Sequence, residues 1–211
     1  MKETIYLKTI EELLEECGED KFQNLSTTSF KFKTDLWNFF INLPDSQKLN
    51  CVEFGTHKGQ TTRILSHLFN LVYSINLPNH FDQAERLNSD RQNIKFIGMD
   101  LYDTKENPLQ INFRHLPCNV FFIDAVHEFD AIMSDFSRSL NFDHDENFPV
   151  YFVFDDYGQD NRQVWQVVNQ LIRVGRLEKI AYFGHEPNHN FGGHPARILK
   201  DHEGIICKLK S

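Results

Sequence analysis

The segment at residues 51–62, CVEFGTHKGQTT, constrains the fold of this chain more than any other. An apolar run ends at Phe54, Gly55 allows a sharp backbone turn, and Gly59 marks a point where a ligand or the strand must approach closely. The next apolar residues have the spacing of one buried helix face: Ile64, Leu65, Leu68 and Phe69. The segment therefore predicts a strand, a glycine turn and a helix whose first N–H groups can hold a polar or anionic ligand.

Further apolar runs alternate with helical patterns along the rest of the chain. Strands are predicted near 71–76, 93–98, 118–124 and 149–155, and helices near 80–90, 129–140 and 161–174, while 103–115 is a polar, weakly helical crossover. Such alternation indicates a parallel sheet with right-handed crossovers. Two closing strands, about 177–184 and 203–209, indicate an antiparallel edge hairpin. The predicted fold is α/β, Rossmann-like and doubly wound, with a mostly parallel seven-stranded sheet.

Two helices precede the first strand, at 8–17 and 30–43, and the second is rich in phenylalanine. We interpret residues 1–45 as a helical cover over a sheet face or edge. A lid or a dimer contact is the alternative, so the sequence leaves a homodimer open.

Composition limits the function classes. With 211 residues, 40% hydrophobic content and 20 Phe, one domain with a full core is expected. The net charge of −8 without a basic stripe argues against a nucleic-acid or anionic-membrane partner, although not against a phosphorylated small substrate. The start has no apolar signal region, no run is long enough to span a membrane, and the four cysteines form no C-x-x-C pair. A reducing, cytoplasmic location is the expectation.

Carboxylates stand where predicted strands end. Ligands of open α/β sheets bind beyond the carboxyl ends of the strands, and Asp124 and Asp155 end strands expected to be neighbours. Asp156 can join them only if the chain turns directly after Asp155. Converging carboxylates need a bound proton or a cation, and oxygen-only ligands suit Mg²⁺. The alternative is that these aspartates cap the following helices.

Three motifs resemble a known family. The E-x-G-x-x-x-G pattern at 53–59 resembles the first motif of class I S-adenosylmethionine-dependent methyltransferases. FFIDAVHEF at 121–129 and VFDDY at 153–157 resemble the F-I-D-x-x-H-x-Y and F-D-D-Y pattern of metal-dependent small-molecule O-methyltransferases, which include macrocin-type sugar O-methyltransferases. The resemblance covers residues 50 to about 160 well. It implies that residues 46–211 form a methyltransferase-like domain.

The resemblance also implies roles for individual residues. S-adenosylmethionine would be bound by the glycine segment and the next two strand ends: Glu53, Gly55, Thr56, Gly59, Asn76 and Asp100. Mg²⁺ would be held by Asp124, Asp155 and Asp156. His127, one turn after Asp124, would be the general base that takes the hydroxyl proton. A solvent-facing residue is the alternative for His127.

One position departs from the family pattern. The second strand usually ends in an acidic residue that binds the ribose hydroxyls, whereas here it ends in Asn76, which lacks the charge that strengthens such contacts. Asp100 is a candidate for the adenosine end, or simply caps its loop. The histidine-rich loop at 185–194 is interpreted as a cover over the substrate pocket, with a transition-metal site as the alternative.

The resemblance implies a Mg²⁺-dependent O-methyltransferase acting on a hydroxyl of a small molecule, such as a sugar or polyol. Two alternatives stay open. The fold can serve as a non-catalytic ligand-binding module, of which Asn76 would be the sign, or it can carry a hydroxylase-like enzyme with a redox metal.

Overall fold

The computed structural model describes residues 8–18, 28–102, 117–160, 162–189 and 197–210. Seven strands lie in these ranges: β1 (Asn50–Phe54), β2 (Leu71–Asn76), β3 (Ile94–Gly98), β4 (Val120–Ile123), β5 (Tyr151–Phe154), β6 (Leu177–Phe183) and β7 (Gly204–Leu209). The α-helices are α1 (Ile10–Glu16), α2 (Phe30–Ile41), α3 (Gln60–Leu68), α4 (Asp82–Leu87), α5 (Phe129–Ser139) and α6 (Val164–Arg173). A short 3-10 helix, Ser46–Lys48, precedes β1. The crossover predicted at 103–115 lies outside the described residues.

The strands form one sheet in the order β3-β2-β1-β4-β5-β7-β6. Strands β1 to β5 pair in parallel, and β7 runs antiparallel between β5 and β6. The predicted fold class is confirmed, including the closing antiparallel hairpin. Within that hairpin, β6 is the edge strand and the later strand β7 is interior.

Successive side chains of a strand point to opposite faces of the sheet, so alternate residues pack into two separate hydrophobic cores. In β5, Phe152 and Phe154 pack with α5 and α6, whereas Tyr151 and Val153 pack with α1, α2 and α3 on the other face. Both faces are covered, which explains why the central strands are apolar throughout.

Helix α2 explains the concentration of phenylalanine near the N-terminus. Its Ser29 cap accepts a hydrogen bond from the Phe32 N–H, and its buried residues include Leu36, Trp37 and Phe40. Phe32 makes edge-to-face contacts with Phe122 of β4, at 6.1 Å between ring centroids, and with Phe183 of β6, at 5.6 Å. These aromatic residues therefore belong to the core of the sheet face.

Some elements are shorter than predicted. Helix α4 spans six residues rather than the eleven of 80–90: it begins after Phe81, and at its C-terminal end the Asn88 side-chain amide donates to the Ala84 carbonyl. Strands β4 and β5 end one residue before Asp124 and Asp155, which places both aspartates in the loops beyond the sheet. No helix within the described ranges is both long and apolar enough to cross a membrane.

Candidate active site

A cavity of about 710 Å³ opens at the carboxyl edge of the parallel strands. This volume falls within the range of small-molecule and cofactor sites. The loops that follow β1, β2, β3, β4 and β5 all contribute to its wall. Of the ten residues that the sequence predicts for the site, nine border the cavity and Glu53 does not.

The glycine loop, residues 55–59, is closely packed against neighbouring parts of the chain at both of its glycines. Gly55 has φ 96°, and a Cβ there would lie 2.7 Å from the carbonyl carbon of Asp124. Gly59 has φ 78°, and a Cβ there would lie 2.6 Å from the Cβ of Ala84 in α4. Side chains rarely adopt such φ values and would not fit in either space. Helix α4 is therefore what approaches Gly59 most closely, where the sequence suggested a ligand or the strand.

Glu53 lies one layer beneath the cavity wall. Only 1% of the residue is exposed, and its carboxylate accepts hydrogen bonds from the Thr62 hydroxyl, at 2.6 Å, and from the Ser74 hydroxyl. Burial raises the pKa of Glu53 to about 7. The Ser74 hydroxyl is also 2.7 Å from that of Thr56, which borders the cavity. Glu53 thus supports the glycine loop through Ser74 and Thr56.

Asn76 and Asp100 border the cavity at the ends of β2 and β3. The Asn76 side-chain oxygen accepts a hydrogen bond from the Leu77 N–H at 2.9 Å, and its amide nitrogen is 3.5 Å from the His80 carbonyl. Asp100 accepts a hydrogen bond from the Tyr102 N–H at 2.9 Å. Asp100 therefore caps its loop and also borders the cavity.

Asp124, His127 and Asp156 form a compact cluster beyond the carboxyl ends of β4 and β5. The His127 Nε2 atom is 3.1 Å from Asp124 Oδ1 and 3.1 Å from Asp156 Oδ2, and one ligand atom from each residue lies within 4.8 Å of the others. Asp156 has φ 55°, which is the turn that the sequence required for it to join Asp124. Burial raises the pKa of Asp124 well above its usual range and lowers that of His127.

Asp155 lies beside this group, outside the 4.8 Å cluster. It is 3% exposed and borders the cavity. Its Oδ2 accepts a hydrogen bond from the Thr28 hydroxyl at 2.9 Å, while its buried Oδ1 has no hydrogen-bond partner among the described residues. Burial, with Asp124 nearby, raises the pKa of Asp155 well above its usual range.

This donor set fits a divalent cation. Two carboxylates and an imidazole converge, and a third carboxylate offers an unsatisfied buried oxygen beside them. Carboxylate oxygens suit Mg²⁺ and Mn²⁺, and an imidazole among the donors extends the set to iron and zinc. The sequence predicted His127 as a base; the structure places it where it can act as a base or as a ligand.

Several cavity residues were missed by sequence reasoning. Arg162 borders the cavity, with its Nε 3.5 Å from Asp156 Oδ2. Thr28 and Glu203 also border it, although they come from opposite ends of the chain. No sequence pattern assigned either residue to the site.

The histidine-rich loop is described as far as residue 189. His185 and His189 stack with ring centroids 3.8 Å apart, and burial lowers the pKa of His185 to about 4. The part of the loop at 190–194 lies outside the described residues. Within the described residues, neither histidine belongs to a group of three metal-binding side chains.

No protein-family model and no curated protein matches this chain at a significant level. Solved structures do match. An O-methyltransferase from Bacillus cereus in complex with SAH has a TM-score of 0.63 at 15% identity, covering 98% of this chain and 94% of the other. The O-methyltransferase TomG from Streptomyces achromogenes, in complex with SAM, has a TM-score of 0.63 at 13% identity, covering 99% and 93%. An rRNA methylase from Streptococcus thermophilus has a TM-score of 0.56 at 10% identity, covering 84% and 96%.

These similarities show that the chain has the fold of methyltransferase structures. The matched proteins differ in what they methylate, as the rRNA methylase and the O-methyltransferases illustrate. The fold therefore does not choose the acceptor, which has to be argued from the site.

Proposed function

We propose that this protein is an S-adenosylmethionine-dependent methyltransferase that transfers a methyl group to a hydroxyl of a small molecule, assisted by a divalent cation. The observation that carries the proposal is that the glycine loop and the carboxylate group face one cavity. A methyl donor and a cation-bound acceptor can therefore meet there. The fold, shared with O-methyltransferases in complex with SAH and SAM, supports the same proposal.

The cofactor end of the cavity is the glycine loop with the ends of β2 and β3. The loop from Gly55 to Gly59 gives backbone access beside the N-terminus of α3, and Asn76 and Asp100 offer side chains for the ribose and the adenosine end. When bound, S-adenosylmethionine supplies the electrophilic methyl group. The residues of this chain orient the donor and exclude water, which places the two reacting groups in contact.

The acceptor would bind at the other end of the cavity, where the aspartates that follow β4 and β5 are clustered. Asp124, Asp155 and Asp156 would hold Mg²⁺ or a similar divalent cation, which would lower the pKa of the acceptor hydroxyl when bound. His127 takes the hydroxyl proton at Nε2, the atom that lies between Asp124 and Asp156. We propose a small hydroxylated acceptor, such as a sugar or polyol, because the net charge of −8 disfavours a nucleic acid.

A second candidate is a hydroxylase-like enzyme on the same scaffold. The imidazole of His127 beside two carboxylates is the observation that favours it, because such donor sets also bind redox-active metals. Elemental analysis of the purified protein separates the candidates: stoichiometric iron supports the hydroxylase, and its absence from protein that binds S-adenosylhomocysteine supports the methyltransferase.

The proposal is tested by calorimetric titration with S-adenosylhomocysteine, in Mg²⁺ and again in chelator, followed by turnover assays on hydroxylated acceptors. We expect micromolar binding of S-adenosylhomocysteine in both buffers and turnover only with the cation. The variant Asp156→Asn should keep cofactor binding and lose turnover, whereas Glu146→Gln, on an exposed loop, should keep both.

Two results count against the proposal. Absence of S-adenosylhomocysteine binding at millimolar concentration favours a ligand-binding module without methyl transfer. Full turnover of Asp156→Asn, or of the wild type in excess chelator, removes the role of the cation.

A further inference from the structure

Two buried carboxylates from neighbouring strands hold the residues that begin helix α2. Asp155 follows β5 and Glu203 precedes β7, and these strands pair so that Phe154 lies opposite Ile205. Asp155 accepts a hydrogen bond from the Thr28 hydroxyl at 2.9 Å. Glu203 accepts from the Ser29 N–H at 2.8 Å and from the Ser29 hydroxyl. The start of α2 is thus joined to the carboxylate end of the cavity.

These contacts are enclosed. Thr28 is 7% exposed, Ser29 2%, Asp155 3% and Glu203 1%. Glu203 also accepts a 3.4 Å hydrogen bond from the His185 N–H, and a Cβ on Gly184 would lie 2.6 Å from the Cβ of Glu203. Hydrogen bonds are stronger where water is excluded.

The geometry at Asp155 gives these contacts a functional meaning. Thr28 engages Oδ2 and leaves Oδ1 buried without a hydrogen-bond partner among the described residues. Thr28 and Asp155 both border the cavity that holds Asp124 and Asp156. A hydroxyl that fixes one oxygen of a carboxylate determines where the other oxygen lies.

We infer that Thr28 is a positioning residue that orients Asp155 for the divalent cation, and that Glu203 holds Thr28 in place through Ser29. This inference rests on the proposed function, because it needs the cation. It assigns part of the active site to the segment that begins α2, which the sequence suggested as a cover, with a lid or a dimer contact as the alternative.

The test measures Mn²⁺ binding by electron paramagnetic resonance, with saturating S-adenosylhomocysteine, and compares the wild type with Thr28→Val and Thr28→Ser. We expect Thr28→Val to weaken Mn²⁺ binding by about 10-fold, since loss of a partner that orients a metal ligand typically costs 10- to 100-fold. Thr28→Ser keeps the hydroxyl and should stay within about twofold of the wild type. Affinity for S-adenosylhomocysteine should be equal in all three.

Thr34→Val is the matched control. It removes a threonine hydroxyl from within α2, six residues after Thr28, one that donates to the Phe30 carbonyl at 2.9 Å and does not border the cavity. We expect it to leave Mn²⁺ binding unchanged.

The outcomes separate the inference from the proposal beneath it. If the wild type binds Mn²⁺ and Thr28→Val binds it equally well, the inference is overturned and the proposed function stands. If the wild type binds S-adenosylhomocysteine but no Mn²⁺, the cation role and the inference fail together. If Thr34→Val weakens Mn²⁺ binding as much as Thr28→Val does, the loss of Mn²⁺ affinity comes from a less stable α2, and the inference is also overturned.

Discussion

Gly55 packs against the backbone of Asp124 so closely that a Cβ on Gly55 would lie 2.7 Å from the Asp124 carbonyl carbon. Gly55 begins the glycine loop after β1, and Asp124 begins the loop after β4, so the two loops are in contact at their first residues. The two ends of the cavity therefore meet at this close approach.

Gly55→Ala should disturb both ends of the site. The new Cβ has no space, and φ 96° is unfavourable for alanine, so we expect a loss of at least about 2 kcal/mol in the free energy of unfolding. We also expect about 10-fold weaker binding of S-adenosylhomocysteine, about 1.4 kcal/mol. Urea denaturation and calorimetry measure the two effects.

Gly175→Ala is the control for backbone strain alone. Gly175 has φ 76°, and nothing lies within 4 Å of its hypothetical Cβ, so we expect a loss of about 1 kcal/mol and unchanged cofactor binding. If both variants lose equal stability and Gly55→Ala binds the cofactor normally, the close approach to Asp124 has no role in the site.

The raised pKa of Glu53 predicts how the stability of the fold depends on pH. Its pKa is raised by burial from 4.5 to about 7, so below pH 4.5 the carboxyl is protonated in both folded and unfolded states. As the pH rises towards 7, the unfolded chain ionises first, and stability is lost. The loss reaches about 3 kcal/mol, at 1.36 kcal/mol per pKa unit.

Glu53→Gln should remove this loss while its side-chain oxygen still accepts from Thr62 and Ser74. We expect the stability of Glu53→Gln relative to the wild type to increase between pH 4.5 and pH 8 by up to about 3 kcal/mol. Urea denaturation of both proteins across this range measures it. Parallel stability curves for the two proteins would show that Glu53 does not titrate in this window.

Replacement of Asn76 by aspartate is expected to change the affinity for S-adenosylhomocysteine in a defined direction. Asn76→Asp should strengthen S-adenosylhomocysteine binding by about 3- to 10-fold, because a carboxylate makes stronger hydrogen bonds to ribose hydroxyls than an amide does. The aspartate can still accept the hydrogen bond from the Leu77 N–H. Calorimetric titration measures the change in affinity.

Asn79→Asp is the matched control for charge. It adds the same charge three residues away, at an exposed position with φ 69° that aspartate tolerates. Equal affinity changes in the two variants, or weaker binding in Asn76→Asp, would place the ribose elsewhere in the cavity.

The sequence predicted the fold and nine of the residues that border the cavity, because both follow from local patterns. Apolar runs that alternate with amphipathic helices specify a doubly wound sheet, and such a sheet gathers the strand ends at one edge. Asp124 and Asn76 could therefore be placed before the structure was known. Their neighbours across the sheet follow from the strand order.

The remaining details depend on conformation or on long-range contacts. Asp156 joins Asp124 because the backbone turns at Asp156, where φ is 55°. The sequence indicated that a turn was required but could not show this backbone angle. Gly59 is required by α4, which the local pattern does not reveal. Ser29 and Glu203, 174 positions apart in the chain, meet only because β7 enters the sheet beside β5.

The interior position of β7 has a consequence for how the protein is made. The strand that fills the gap between β5 and β6 is synthesised after both of them, so β5 presents an unpaired edge until β7 arrives. Pairing over such sequence distances is slow, and an open apolar edge is prone to aggregation during that interval. Destabilisation of the closing hairpin is therefore expected to reduce the yield of folded protein before it reduces the activity of the molecules that fold.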